Sequence, residues 1–177
     1  MPLLELTYGP PGFRCQVYTS RFEGVIAKRA DKPYRAGRGT DWVKVKCSQE
    51  QEFVVAGYTE SDARHMAFAS LILAVNDKGG LRYSGHVGTG FTVAERRRLV
   101  DLFRPLASET SPIARQMPAP IRRKAHWIKP GIVVQVAFTE MTVAGMVRAP
   151  SYRGIREDKA AAEVKPERPS TKQRRRK

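Results

Sequence analysis

Three apolar runs follow one another with little but turn chemistry between them: "EFVVAGYTE" (residues 52–60), "FASLILAVND" (68–77) and "LRYSGHVGTGF" (81–91). Each is too short for a buried helix and rich in strand formers, so each reads as a strand. "NDKGG" (76–80) marks a turn, and the glycines of the third run signal bends or bulges. One helical pattern comes next. Thr92 and Glu95 have the spacing of a capping box, and Leu99, Val100, Leu102, Phe103 and Leu106 return at helical period until Pro105 ends or kinks it. Beyond a polar loop (108–124), "AHWIKPGIVVQVAFTEMTV" places Val134, Val136 and Phe138 on one side of a strand and Gln135, Ala137 and Thr139 on the other. "GMVRAPSYRGIREDK" (145–159) closes the series. Strand, strand, strand, helix, strand, strand is the order of a five-stranded OB barrel, whose helix usually lies between the third and fourth strands. That order favours an OB barrel over another small barrel or an α+β domain, so a mainly β fold is expected.

The first 49 residues have a different texture. "YGPPG" (8–12) is a turn or irregular segment, and the first strong strand is 22–28. A polar loop (29–41) leads to a second strand at 42–47, and "SQEQ" (48–51) reads as a short polar link. The expected division is 1–49, then a barrel domain at 50–160, then a basic disordered tail at 161–177.

The 177 residues carry 32 Lys+Arg against 17 Asp+Glu, a formal net charge of +15. Residues 165–177 hold +6 of it, which leaves +9 on the rest, so the excess is not confined to a tail. Such a balance points to a polyanionic partner. With a 41% hydrophobic share, global disorder is excluded. Cys15 and Cys47 provide neither metal spacing nor a disulfide framework. No apolar run approaches the roughly 18 residues that span a bilayer, and the start lacks a basic signal-peptide region. A cytoplasmic protein with no membrane partner is expected.

The residues suited to chemistry cluster near the first strands. In "WVKVK", Trp42, Lys44 and Lys46 share one strand face, and two ammonium groups about 7 Å apart can converge on one phosphate. An amphipathic strand with an exposed lysine face would look the same. In "EGVIAK", Glu23 is a hard oxygen ligand suited to Mg²⁺, Gly24 admits close approach, and Lys28 adds a positive charge. An offset of five puts Glu23 and Lys28 on opposite faces of a regular strand, so both reach one ligand only if the strand bends or ends between them. Further along, Arg122, Arg123 and Lys124 form a loop candidate for nucleic-acid backbone contact, and Arg96–Arg98 read as a solvated helix face or a phosphate contact. His65, His86 and His126 show no metal spacing and read as structural or exposed. Tyr83, Phe91 and Tyr152 read as core before base stacking. The terminal "KQRRRK" would add salt-dependent, sequence-independent affinity.

Taken together these residues resemble a family. "EGVIAKR" and "DWVKVK" resemble the fourth and fifth nucleotidyltransferase motifs of ATP-dependent DNA ligases, and "ADKPYRAGRGTDW" resembles the loop of bacterial end-joining polydomain ligases. "EFVVAGYTE", "LRYSGHVGTGF", "TSPI" and "PSYRGIREDK" are similar to that module's OB domain; the last holds a sixth-motif-like R-x-D-K of Arg156, Asp158 and Lys159. The resemblance covers about residues 22–164. It implies that Glu23 binds the divalent metal and that Lys44 and Lys46, beside Lys28, meet the nucleotide α-phosphate. It implies that Arg156 and Lys159 meet departing pyrophosphate, and that the OB domain lies against duplex DNA at a nick or end. ATP and Mg²⁺ are the implied cofactors, and the bacterial cytoplasm at the nucleoid is the implied location.

The attacking lysine is not found. The family carries it in a K-x-D-G motif upstream of the metal-binding glutamate, and this sequence contains no K-x-D-G. The chain therefore reads as a C-terminal ligase segment: two strands from the edge of a truncated nucleotidyltransferase domain, a whole OB barrel and a tail. No residue here is assigned as the nucleophile. A separate adenylation domain or chain would supply it; the alternatives are a non-catalytic DNA-binding OB module or the remnant of a truncated ligase gene.

Overall fold

A computed structural model describes residues 3–6, 15–18, 24–28, 31–33, 35–37, 39–46, 48–63, 66–114 and 117–166. Within the strands before residue 48, side chains are described only at Ile26 and Trp42. The chain divides into two compact units, Met1–Ser48 and Gln49–Lys177.

The first unit holds two antiparallel pairs. Strands β1 (Leu3–Leu6) and β2 (Cys15–Tyr18) form one two-stranded sheet. Strands β3 (Gly24–Lys28) and β4 (Trp42–Lys46) form the other. Their register sets Gly24 opposite Lys46, Ile26 opposite Lys44 and Lys28 opposite Trp42. Facing residues of an antiparallel pair lie on the same side of the sheet.

The second unit is the barrel. Strand β5 (Gln49–Thr59) is its spine. Along its first half β5 pairs with β10 (Val133–Phe138), and along its second half with β6 (Ser70–Asp77). The division is possible because β5 is 11 residues long, with a register shift between Val55 and Gly57. Such a bulge sharpens the twist and turns a strand from one neighbour to the next. Gly57 is needed there, since a Cβ would collide with the His126 carbonyl of β9 (Ala125–Ile128). β7 (Gly80–Val87) follows β6, and β13 (Ser151–Ile155) flanks β10, giving the order β13-β10-β5-β6-β7. Short β8 (Ala107–Ser108) pairs with β9, and β11 (Glu140–Met141) with β12 (Val147–Arg148).

The two ends of that order meet. Tyr152 N–H of β13 donates to the Thr89 carbonyl just beyond β7 at 2.9 Å, and Thr89 Oγ1 donates to the Pro150 carbonyl. Phe91 stacks on Tyr152 there, with ring centroids 4.3 Å apart. Five principal strands, a closing seam and one main helix are the expected OB barrel. The seam also settles the aromatics: Tyr152 and Tyr83 are buried in the core, with Phe91 packed against it.

Helix α1 (Val93–Phe103) lies between β7 and β9 in the chain. Thr92 Oγ1 accepts from the Glu95 N–H at 3.1 Å, as the cap spacing predicts. The reciprocal half of the box is not made, because Glu95 Oε1 accepts from the Tyr152 hydroxyl. Leu99 and Phe103 enter the core, and a 3₁₀ turn containing Pro105 ends the helix. Short α2 (Ala119–Arg123) precedes β9.

Two sequence boundaries move. "SQEQ" is no link: Gln49 opens β5, and Gln51 is buried. The packed chain also continues past residue 160. A 3₁₀ turn at Ala161–Glu163 delivers Val164 into the core, held by Asn76 Nδ2, which donates to the carbonyls of Ala161 and Val164. Reading 161–177 as a tail overlooks one valine in a short Ala/Glu run.

Candidate phosphate and nucleic-acid site

The outer surface of β5, β10 and β13 carries a charged cluster. Glu52 on β5 faces Gln135 on β10, which in turn faces Gly154 on β13. Two residues after Gly154, as the strand ends, the Arg156 N–H donates to the Val133 carbonyl at 2.8 Å. Arg156 therefore leaves β13 with its direction fixed. Its guanidinium meets four acceptors. Nη1 donates to Glu52 Oε1 and Gln135 Oε1, each at 3.1 Å; Nε and Nη2 donate to the two Asp158 oxygens, each at 2.9 Å. The Asp158 fork is the bidentate geometry that suits a guanidinium. Lys159 Nζ reaches the other Glu52 oxygen, Oε2, at 3.0 Å.

One carboxylate thus holds both sixth-motif-like cations. The Glu52 side chain is 17% exposed, against 35% for Arg156 and 33% for Lys159. The Arg156 side-chain hydrogen bond, with help from the backbone N–H of Asp158, holds the Asp158 carboxyl down at about 2. The Arg156 guanidinium is pushed up, first by the Asp158 hydrogen bond and then by its charge. Nearby, Arg153 Nε lies 3.5 Å from Glu50 Oε1.

The loop cations divide. Lys124 Nζ is clamped by both Asp62 oxygens at 2.9 and 2.8 Å. Arg122 and Arg123, in the last turn of α2, are exposed, and no ion pair among the described residues engages them. The triplet does not act as three equal cations.

In the other unit, positions 28, 44 and 46 fall on one face of the β3–β4 pair by register, together with Ile26 and Trp42. On that face Ile26 is 55% and Trp42 38% exposed. Glu23 lies outside the described residues. Among the described residues no group of three or more His, Cys, Asp or Glu is placed to hold a metal ion.

Sequence reasoning missed Glu52, Gln135 and Asp62. Their partners lie 104, 21 and 62 residues away, and nothing local announces them. Arg96 was misread. It donates to the Phe68 carbonyl at 2.6 Å and the Gly88 carbonyl at 2.7 Å, and its guanidinium stacks over Phe68 and Phe91. It ties the loops before β6 and after β7 to α1. His86 Nδ1 lies 2.9 Å from the Tyr83 hydroxyl and His126 stacks on Tyr58, so both have structural partners; His65 lies outside the described residues. Burial pushes the Tyr83 hydroxyl up to about 12 and the His86 imidazole down. No helix among the described residues is long and apolar enough to cross a membrane.

The chain is similar to known proteins in sequence and fold. The chain is 40% identical over 151 residues to the multifunctional non-homologous end joining protein LigD of Pseudomonas aeruginosa, a match covering 84% of this chain and 18% of that protein. It is 34% identical over 151 residues to a DNA ligase of Methanoculleus marisnigri, covering 80% of this chain and 26% of that one. The crystal structure of the ligase domain from M. tuberculosis LigD superposes with a TM-score of 0.64 at 37% identity, covering 82% of this chain and 48% of that one. The chain spans about a fifth to a quarter of the length of these curated relatives. Residues 64–159, which include Arg122–Lys124, Arg156 and Lys159, match the model described as the ATP dependent DNA ligase C terminal region. The chain belongs to that family of ligase C-terminal regions.

Proposed function

We propose that this chain acts in the joining of DNA strands as the part of a ligase that holds duplex DNA and presents cations to phosphate, while the lysine that attacks ATP is supplied elsewhere. The observation that carries the reading is the gathering of Arg156 and Lys159 on a single strand-mounted carboxylate, in a chain of formal net charge +15. Two cations gathered on one carboxylate of a sheet can neutralise the charge that builds on a departing phosphoanhydride. ATP and Mg²⁺ are the cofactors of the complete reaction, with Glu23 the metal ligand and Lys28, Lys44 and Lys46 the α-phosphate contacts on the β3–β4 face. Arg122 and Arg123 touch the DNA backbone, Lys124 more weakly because Asp62 already neutralises it. The work takes place in the bacterial cytoplasm, at the nucleoid, on a nick or an end.

The chemistry assigns the chain a supporting share. An amine must attack the α-phosphorus, pyrophosphate must leave, and a 3′-hydroxyl must later displace AMP from a DNA 5′-phosphate. Lys28, on the strand that follows the proposed metal ligand Glu23, is not assigned as the amine; an AMP-modified Lys28 in a peptide map would overturn this.

The test is binding of the purified chain to a fluorescent nicked duplex across a salt series. Affinity should fall steeply with salt, and replacing both Arg122 and Arg123 by Gln should lower the slope of log affinity against log salt by roughly 2, about 1 per phosphate contact. No binding at low salt overturns the reading.

A further inference from the structure

Resting on the reading of Arg156 and Lys159 as phosphoanhydride contacts, we propose that Glu52 both positions these two cations and competes with their ligand. An incoming anion frees Lys159 from it first and Arg156 second.

The geometry sets this order. Glu52 divides its oxygens, Oε1 to Arg156 and Oε2 to Lys159. It sits within β5, opposite Gln135 in the ladder, so its backbone does not withdraw when an anion arrives. The cations must move instead. Arg156 keeps three bonds without Glu52: two to Asp158 and one to Gln135. Lys159 keeps no other ion pair among the described residues. Its four-carbon stem also swings more freely than a planar guanidinium held in a fork. A ligand rich in negative charge therefore meets Arg156 already aimed and Lys159 ready to exchange Glu52 for phosphate oxygen. Close to that ligand the Glu52 charge is repulsive, and at 17% exposure water screens it poorly.

Glu52 thus acts as a threshold. It keeps both side chains aimed while the site is empty, and it favours a dense, multiply charged anion over a single phosphate. The substitution Glu52→Gln removes the charge and keeps the shape, leaving one acceptor oxygen where the carboxylate had two.

The experiment is calorimetric titration of the full 177-residue chain with inorganic pyrophosphate in metal-free buffer, with thermal melting to verify folding. Glu52→Gln should bind pyrophosphate roughly five- to tenfold tighter than wild type, the range expected for relieving two partly exposed ion pairs. Glu52→Asp should stay within about twofold of wild type, because it restores the charge. The gain should vanish in the Glu52→Gln/Lys159→Gln double variant. Unchanged or weaker pyrophosphate binding in a folded Glu52→Gln chain overturns the proposal, as does an equal gain with inorganic phosphate. Should Glu52→Gln not fold, side-chain nitrogen NMR of wild type decides. Pyrophosphate should shift Lys159 Nζ before Arg156 Nε, and the reverse order sinks the idea. A gain on Glu52→Gln without any binding of nicked duplex would leave this proposal standing and refute the DNA-holding reading. Pyrophosphate binding to neither wild type nor Glu52→Gln, with duplex binding intact, would do the opposite.

Discussion

The unit Gln49–Lys177 and the unit Met1–Ser48 solve the problem of a strand edge in different ways. The larger one joins five principal strands in order and ties the ends through Thr89 and Tyr152. Phe53, Leu73 and Val134 are fully buried within it. The smaller one shows, among its described residues, two separate two-stranded sheets, with Ile26 and Trp42 exposed. Two-stranded pairs are marginally stable in water, whereas a closed sheet with a packed interior stands alone. The fold's free energy therefore lies in the barrel rather than in the β3–β4 pair.

The contrast breaks most readily by truncating an apolar side chain in each region. Leu73→Ala should cost about 3–5 kcal/mol, since it empties a core site. Ile26→Ala, at a half-exposed position, should cost less than about 0.5 kcal/mol. Urea denaturation followed by far-ultraviolet circular dichroism measures both, and equal costs would refute the contrast. The seam is the next place to press. Gly90 has φ +91° and a Cβ there would collide with the Tyr152 carbonyl, so Gly90→Ala should cost about 1–3 kcal/mol. It should also speed amide exchange at Tyr152, whose N–H donates across the seam. Thr92→Ala, which removes the cap of α1, should cost about 1 kcal/mol by the same denaturation assay.

The smallest effect concerns acid. Asp158 titrates at about 2 in the folded chain, below the ordinary value near 3.9. A depressed carboxyl contributes stability above its ordinary pKa and loses that contribution as pH falls through the folded value. The Arg156 fork should therefore persist through pH 4 and dissolve toward pH 2. Carboxyl NMR should place the Asp158 midpoint near 2; a midpoint near 4 would show that the fork does not form.

These regions also differ in how much of them the sequence disclosed. The alternation of Val134, Val136 and Phe138 announces a strand with one buried face, and all three are buried, though Val133 and Ala137 on the other face are buried as well. The Thr92 cap is equally local. The bulge at Val55/Gly57 is less so, because the close approach it allows depends on His126, 69 positions beyond Gly57 in the chain. Val164 escaped notice since a lone valine in a polar run carries no period. In the site, Arg156, Asp158 and Lys159 were legible through their spacing. Glu52 was not, because its role exists only once β5 and the end of β13 come to flank β10 in one sheet. From "WVKVK" alone Lys44 and Lys46 share a strand face; the register adds position 28 to that face.

The central claim is a division of labour: this chain presents cations and holds DNA, and the attacking amine lies outside it. Intact mass spectrometry of the purified chain after incubation with ATP and Mg²⁺, followed by the same mixture with a separate adenylation domain and nicked DNA, tests it most directly. The account predicts no AMP adduct on the chain alone and sealed DNA once that domain is added. A covalent AMP on any lysine of this chain would contradict it.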